Sequence, residues 1–308
     1  MRSLLFIPAD DERKLAKGLA TGADALILDL EDAVAPPRKA AARILAARYI
    51  AETRPREGRP RLYVRINALE TSLWQDDVAA VIGARPDGLL LPKPRSGDDV
   101  HRLSLTLRHE EEHAGAPVGS TRIIAIATET PVSLFQLHTY VDSSSRLEAL
   151  TWGAEDLSAV VGSSANREGD GRTWTSPYRL ARDLTLFAAA AAGVEAVDTV
   201  FVNLRDAEGL RMECEAAARD GFTGKMAVHP GQIAAINAAF TPGSDEVAAA
   251  EEIVRLFADN PRHRRAGPPR PDGGQATSGP RRAHAGPRQG GGVRSTGQGL
   301  IHRRAWRC

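Results

Sequence analysis

The sequence has 308 residues, of which 42% are hydrophobic and 26% charged, a composition typical of a soluble globular protein. No apolar run is long enough to cross a bilayer. The short apolar run near the N-terminus meets Pro8 and then Asp10 and Asp11, which argues against a signal peptide. Two cysteines, Cys214 and Cys308, stand far apart, so we expect no disulfide framework and a reducing, cytoplasmic compartment.

The net charge of +1 conceals two different kinds of sequence. Residues 259–308 hold eleven Arg, no Lys and two acids, for a net charge of +9, whereas residues 1–258 carry a net charge of −8. Arg, Gly and Pro dominate the tail, which has almost no aliphatic side chains to bury, so we predict that residues 259–308 are disordered. The tail lacks interleaved aromatics and an amphipathic period, so we expect neither a nucleic-acid nor a membrane partner.

Along residues 1–258, short apolar segments alternate with helical patterns. The predicted strands are Ser3–Pro8, Ala25–Leu30, Leu62–Ile66, Gly88–Leu91, Thr121–Ala127, Leu147–Trp152, Ala196–Val202 and Gly224–Val228. The predicted helices are Asp11–Ala20, Arg38–Thr53, Leu73–Ile82, Asp98–His113, Ser133–Val141, Pro177–Ala192, Asp206–Asp220 and Gly231–Phe240, with Asp245–Phe257 as an extra C-terminal helix.

Eight β-then-α units predict an α/β fold, a closed TIM (β/α)₈ barrel, with a doubly wound open sheet as the alternative. Polar residues at or just past strand ends favour the barrel, which gathers them around one mouth. These residues are Asp29, Glu31, Arg65, Lys93, Glu129, Asp156 and His229.

Glu129 and Asp156 follow neighbouring predicted strands, in the segments ATETP and GAEDL. A carboxylate at the end of a buried strand is costly unless a cation neutralises it. Two oxygen ligands without His or Cys beside them indicate Mg²⁺ or Mn²⁺ rather than zinc. The alternative is that each carboxylate caps the helix that follows it.

Arg65 closes the apolar strand RLYVRIN, where a fixed guanidinium could hold a carboxylate or stabilise an enolate oxygen. The alternative is an ion pair with Asp29, Glu31 or Asp32. These three acids could hold waters on a metal and orient Arg65, or cap the helical segment after them.

Lys93, in LLLPKP, could meet an anionic substrate, and a Schiff-base role is unnecessary beside a metal pair. His229 could act as a general base, but a hydrogen-bonded loop histidine near a binding site is the simpler interpretation. The sequence contains no G-x-G-x-x-G, Walker loop or Cys/His cluster, so nucleotide-fold and zinc functions have no support.

The segments LLFIPADDERK, ILDLEDAV, VRIN, LLLPKP, ATETP, GAEDL and KMAVHPGQI together resemble the HpcH/HpaI aldolase/citrate lyase family, closest to proteins like the citrate lyase β-subunit. The resemblance covers residues 2 to about 258. It implies a Mg²⁺-dependent TIM barrel in which Glu129 and Asp156 bind the metal and Arg65 contacts the substrate.

The resemblance also implies retro-aldol cleavage of a 3-hydroxyacyl-CoA such as malyl-, citramalyl- or citryl-CoA to an acyl-CoA and a keto acid. Thioester hydrolysis on the same metal site is an alternative, and a catalytically impaired barrel that binds CoA esters is another. Similar proteins form homotrimers or hexamers. They continue past the C-terminal helix with a short apolar–acidic segment, and in several of them an Asp of that segment reaches over the neighbouring subunit's active site. Residues 259–308 contain no such segment, and their Arg/Pro/Gly/His composition leads to the hypothesis of a frameshift product.

Overall fold

The computed structural model describes residues 1–259, and its eight parallel strands close into a barrel, each pairing with the next and the last with the first. The predicted TIM barrel is therefore confirmed and the open sheet is excluded. The strands are β1 (Ser3–Pro8), β2 (Ala25–Asp29), β3 (Arg61–Arg65), β4 (Gly88–Leu91), β5 (Arg122–Ile126), β6 (Leu147–Thr151), β7 (Glu195–Asp198) and β8 (Gly224–Ala227).

The helices surround the barrel and connect its strands. They are α1 (Glu12–Gly18), α2 (Lys39–Thr53), α3 (Trp74–Ile82), α4 (Gly97–His113), α5 (Pro131–Leu134), α6 (Ala154–Val161), α7 (Ser176–Ala192), α8 (Ala207–Asp220) and α9 (Ile233–Ala239). Short 3₁₀ turns occupy Pro36–Arg38, Leu137–Tyr140 and Pro230–Gln232. No helix among residues 1–259 is long and apolar enough to cross a membrane.

Two predicted elements differ from the structure by more than two residues at an end, and one helix was not predicted. The strand predicted over Ala196–Val202 ends at Asp198, and residues 199–202 form a loop. The single helix predicted over Ser133–Val141 is replaced by α5 and the 3₁₀ turn Leu137–Tyr140. The predicted helices also included none over Ala154–Val161, where α6 forms with Asp156 in its first turn.

Successive side chains of each strand point to opposite faces of the sheet, so the apolar side chains divide between two cores. One buried cluster contains residues from all eight strands and fills the barrel: Leu4, Ala25, Ile27, Tyr63, Leu90, Ile124, Ile126, Ala149, Val197 and Met226. The intervening strand residues, Leu26, Leu150 and Ala196 among them, pack against the helices. Because parallel strands end together, the residues just past their carboxyl ends surround one mouth.

The compact barrel unit runs from Met1 to Thr241. A second unit begins at Pro242 and contains α10 (Ser244–Asp259), the extra C-terminal helix that the sequence predicts. Asp245 and Glu246 occupy its first turn, where carboxylates interact favourably with the helix dipole. Of the tail predicted to be disordered, residues 260–308 lie outside the described part of the chain.

Candidate metal and substrate site

Glu129 lies at the mouth of the barrel, three residues past the end of β5, and is only 2% exposed. Its Oε2 accepts a hydrogen bond from the backbone N–H of Lys93, at 2.5 Å. Lys93 has a φ of 51°, in the left-handed region, and this conformation places its N–H toward β5. Glu129 thus contacts the neighbouring β4 loop instead of capping α5, so the capping alternative is wrong for this residue.

Gly153 provides the space that the Glu129 side chain occupies. A Cβ atom at position 153 would lie 2.5 Å from Cγ of Glu129 and 3.1 Å from its Oε1. Its φ of −118° suits any residue, so glycine is required here for close approach and not for backbone conformation. The Gly of GAEDL therefore forms one wall of the pocket that holds the Glu129 carboxylate.

Burial raises the pKa of Glu129 well above its ordinary value, and the charges of Asp156 and Glu31 add to the effect. The hydrogen bond from Lys93 and its nearby charge only partly oppose this shift. A divalent cation between Glu129 and Asp156 would reverse the balance, because it favours the ionised form of both carboxylates.

Asp156 lies in the first turn of α6, beyond the end of β6. Its Oδ1 is 3.2 Å from Nζ of Lys93, which also lies 2.6 Å from Glu31 and 3.3 Å from Asp32. Burial alone would lower the pKa of Lys93, but the hydrogen bond to Glu31 and the surrounding carboxylates raise it above its ordinary value. Lys93 is therefore a fixed ammonium ion among three acids.

Arg65 ends β3 directly opposite Asp29 on β2. Its Nε and Nη2 donate to the two oxygens of Asp29, at 2.7 and 2.5 Å, while Nη1 lies 2.9 Å from Glu31. The guanidinium stacks over the ring of Phe6, 4.9 Å from its centroid. Burial would lower the pKa of Arg65, but Asp29 and Glu31 raise it, so the side chain carries a permanent, oriented positive charge.

A cavity of about 460 Å³ opens at this mouth, and four of the predicted site residues line it: Asp29, Arg65, Glu129 and Asp156. Glu31 and Lys93 do not line the cavity but contact residues that do. His229 is exposed and does not line the cavity; its Nδ1 accepts a hydrogen bond from the N–H of Gly231. Its predicted substrate contact stays a prediction.

A buried ionic group behind the cavity wall was missed by the sequence interpretation. Asp198, at the end of β7, accepts hydrogen bonds from Nζ of Lys225 at 2.7 Å and from the indole N–H of Trp152 at 2.8 Å. Lys225 also pairs with Glu213 of α8 at 2.8 Å. Trp152 precedes Gly153, so this group anchors the chain next to Glu129. A Lys inside the strand GKMA was the signal that could have revealed it.

The donor set of Glu129 and Asp156 fits a hard divalent cation. Both supply carboxylate oxygens to one cavity, and Glu129 is held in a space that a Cβ at position 153 would fill. Within residues 1–259, no group of three or more His, Cys, Asp or Glu side chains is arranged to hold a metal. Mg²⁺ ordinarily uses one or two protein carboxylates and completes its shell with water and substrate, so a pair of carboxylates is sufficient.

The sequence profile of the HpcH/HpaI aldolase/citrate lyase family matches residues 2–230, which include all eight strands of the barrel. The chain belongs to this family. The match contains all seven residues that the sequence interpretation placed at the mouth.

Individual relatives are similar over most of their length. The citrate lyase β subunit of Leuconostoc mesenteroides is 32% identical over 253 residues, covering 82% of this chain and 81% of the relative. A (3S)-malyl-CoA thioesterase of Cereibacter sphaeroides is 34% identical over 266 residues, covering 85% of each. The crystal structure of CitE from Mycobacterium tuberculosis with magnesium, acetoacetate and coenzyme A is 32% identical, with a TM-score of 0.67, covering 84% of this chain and 87% of that one.

Proposed function

We propose that this protein is a Mg²⁺-dependent carbon–carbon lyase that cleaves a 3-hydroxyacyl-CoA to an acyl-CoA and a 2-oxo acid. The observation that carries the proposal is the arrangement of Glu129 and Asp156 on one cavity with Arg65 fixed at its wall by Asp29. The relatives support it, because they include a citrate lyase subunit and a CitE structure that contains magnesium and coenzyme A.

In this reaction the bond breaks between the hydroxyl-bearing carbon and the carbon next to the thioester. Its electron pair passes to the thioester as an enolate, which then takes up a proton, while the hydroxyl loses its proton and becomes a carbonyl. The cleavage is redox-neutral and needs no further cofactor. Negative charge therefore moves onto oxygen atoms of the substrate, and the site must stabilise it.

The residues of the chain have distinct roles in this proposal. Glu129 and Asp156 would hold Mg²⁺, which when bound acts as a Lewis acid toward the keto acid oxygens. Arg65 supplies fixed positive charge, and Asp29 and Glu31 keep its guanidinium ionised and oriented. Lys93 holds Glu129 through its backbone N–H and screens the repulsion between Glu31 and Asp156 with its ammonium group.

A thioesterase on the same metal site is the second candidate, and the 34% identity to a (3S)-malyl-CoA thioesterase favours it. Hydrolysis would release free thiol and an intact hydroxy acid, whereas lyase cleavage releases a keto acid and keeps the thioester. The two activities therefore give different products from one substrate.

The test incubates the protein and Mg²⁺ with malyl-, β-methylmalyl-, citramalyl- and citryl-CoA, and measures thiol and keto acid separately. Keto acid without thiol, abolished by EDTA and by Glu129→Gln, is the expected result. Thiol without keto acid would transfer the assignment to thioesterase. A folded protein that binds Mg²⁺ and forms neither product would be a catalytically impaired barrel. The homotrimer or hexamer implied by the family resemblance stays a prediction, which sedimentation would test.

A further inference from the structure

The wall of the cavity has a charged side and an apolar side. Strands β7, β8 and β1 are consecutive around the barrel, and their ends contribute mainly apolar side chains to the cavity: Phe6, Pro8, Val200, Val202, Met226 and Val228. We call this set the apolar arc. The charged side follows β2, β3, β5 and β6 and contains Asp29, Arg65, Glu129 and Asp156.

Arg65 is the only cationic side chain among the described residues that line the cavity, and five carboxylates line it as well: Asp29, Asp32, Glu129, Glu155 and Asp156. Three nitrogens of the Arg65 guanidinium already face Asp29 and Glu31. Lys93 does not line the cavity, and its ammonium lies among Glu31, Asp32 and Asp156.

A bound substrate therefore meets little unpaired positive charge. One carboxylate next to the hydroxyl-bearing carbon can pair with the metal site and the remaining N–H groups of Arg65. A second carboxylate would lie either on the apolar arc or among the five acids, without a cation to pair with it. Removing an unpaired carboxylate from water is strongly unfavourable. The cavity volume of about 460 Å³ is within the usual range for small-molecule sites.

We propose that the site selects 3-hydroxyacyl-CoA esters whose departing 2-oxo acid is a monocarboxylate bearing hydrogen or a small alkyl group, and that it rejects esters whose departing acid carries a second carboxylate. Malyl-CoA and citramalyl-CoA belong to the accepted class, and citryl-CoA to the rejected class. This inference rests on the proposed function and specifies the substrate of the same site. The alkyl substituent would pack on the apolar arc.

The first measurement compares kcat/KM for citramalyl-CoA and citryl-CoA. We expect a preference of at least 100-fold for citramalyl-CoA. Turnover of the two esters within threefold of each other, or a preference for citryl-CoA, would overturn the proposal.

A variant with a new cation on the apolar arc tests the cause of the preference. Val228 is 42% exposed, so an Arg at this position can keep its charge in water and leave the core intact. We expect Val228→Arg to raise the ratio of kcat/KM for citryl-CoA to kcat/KM for citramalyl-CoA by at least tenfold. Val228→Gln introduces a polar side chain without a charge, and we expect it to leave this ratio near that of the wild type. Equal ratios in the two variants would overturn the electrostatic explanation.

Binding separates this inference from the proposed function. If no CoA ester is cleaved, the proposed function fails, but titration calorimetry of the Mg²⁺-loaded protein still compares pyruvate with freshly dissolved oxaloacetate. At least tenfold tighter binding of pyruvate supports the selection by charge. Equal binding, tighter binding of oxaloacetate, or no binding of either acid overturns it.

Discussion

Asp29 and Arg65 are register partners on β2 and β3, and the Asp29 carboxylate accepts two hydrogen bonds from the Arg65 guanidinium, at 2.7 and 2.5 Å. The same carboxylate accepts the backbone N–H groups of Glu31 and Ala33, at 2.9 and 3.2 Å. Asp29 therefore fixes both the guanidinium and the loop that carries Glu31. The sequence interpretation treated an ion pair and a substrate role as alternatives for Arg65. The two are compatible, because the ion pair with Asp29 would orient Arg65 for a contact with the substrate.

Asp29→Asn removes one charge from this pair with little change in shape. We expect kcat/KM to fall roughly 100-fold, because the guanidinium loses its fixed orientation. We also expect the free energy of unfolding to fall by about 3 kcal/mol, because Arg65 is left buried with only part of its countercharge. Steady-state kinetics and urea denaturation measure the two effects.

Asp24→Asn is the matched control for this variant. Asp24 holds Arg2 in a similar two-bond pair, at 3.0 and 2.7 Å, at the opposite end of the barrel from the cavity. We expect kcat/KM to stay within twofold of the wild type. A loss of activity as large as in Asp29→Asn would mean that any broken ion pair disables the enzyme, and the specific role of Asp29 would be refuted.

Gly153→Ala tests whether the Glu129 carboxylate must occupy its present position. The added methyl group would overlap Cγ of Glu129 at 2.5 Å and force the side chain to move. We expect Mn²⁺ affinity, measured by electron paramagnetic resonance, to weaken about 10–100-fold, as for other changes that disturb the orientation of a metal ligand.

The control is Gly83→Ala, at the end of α3, where a Cβ would have no neighbour within 4 Å. Its φ of −60° suits alanine, so we expect unchanged Mn²⁺ binding and a gain in stability of about 0.4–1 kcal/mol. Unchanged Mn²⁺ affinity in Gly153→Ala would remove Glu129 from the proposed metal site.

The strands could be predicted because apolar segments of four to seven residues between helical patterns have few other interpretations. β7 was predicted too long because its β-branched run continues past Asp198. Beyond that point Thr199, Val200 and Val202 line the cavity and Phe201 packs into the core, so the same apolar sequence forms a loop at the cavity wall.

The helix predicted over Ser133–Val141 is interrupted because of a tertiary contact. Oγ1 of Thr139 accepts the N–H of Gly97 at 2.7 Å, and the Thr139 carbonyl oxygen would lie 2.0 Å from a Cβ at Gly97. Close packing against the start of α4 therefore replaces a regular helix with a short helix and a 3₁₀ turn. No local pattern in the sequence reports such a contact.

The grouping of site residues could be predicted, because parallel strands place their ends at one mouth. The individual contacts could not. The hydrogen bond from Lys93 to Glu129 depends on a positive φ at a non-glycine residue, which the sequence does not reveal. Lys225 inside the strand GKMA indicates a buried partner, but its spacing does not identify that partner as Asp198, which lies 27 residues earlier and also accepts a hydrogen bond from Trp152.

Lys93→Met tests the competition between the ammonium group and a metal for Asp156. Lys93 lies 3.2 Å from Asp156 and is firmly charged, since the surrounding acids raise its pKa. Removing a positive charge this close to a cation site should tighten Mn²⁺ binding by about tenfold. The corresponding free energy is a fraction of the Coulomb energy of two unit charges at this distance near a protein surface. The backbone N–H that holds Glu129 remains. Calorimetric titration measures the change.

The control for charge removal alone is Lys17→Met, on the exposed face of α1, which should leave Mn²⁺ affinity unchanged. If Lys93→Met instead weakens Mn²⁺ binding, the ammonium group orients Asp156 for the metal and does not compete with it.

Glu111→Gln concerns stability at the end of the barrel opposite the cavity. Glu111 is fully buried and accepts hydrogen bonds from Arg146 at 2.8 and 2.7 Å and from the N–H groups of Thr121 and Gly119. Burial alone would raise the pKa of Glu111, but these bonds outweigh it and lower the pKa to about 2.

Because this folded-state pKa lies below the unfolded value of about 4.3, the ionised pair contributes stability above pH 4.3 that is lost as the pH falls toward 2, about 3 kcal/mol in all. Glu111→Gln should be less stable than the wild type by about 3–5 kcal/mol at pH 7, because Arg146 is left buried without its partner. Between pH 4.5 and 2 the free energy of unfolding of the variant should also fall less than that of the wild type, because the variant has no Glu111 carboxylate to protonate.

Urea denaturation at pH 7, 4.5 and 3 measures both effects. Glu112→Gln, at the next and exposed position of α4, should unfold like the wild type at each pH. A Glu111→Gln protein that retains wild-type stability at pH 7 would show that the buried pair only compensates its own desolvation, and the pH dependence would then have to arise from other carboxylates.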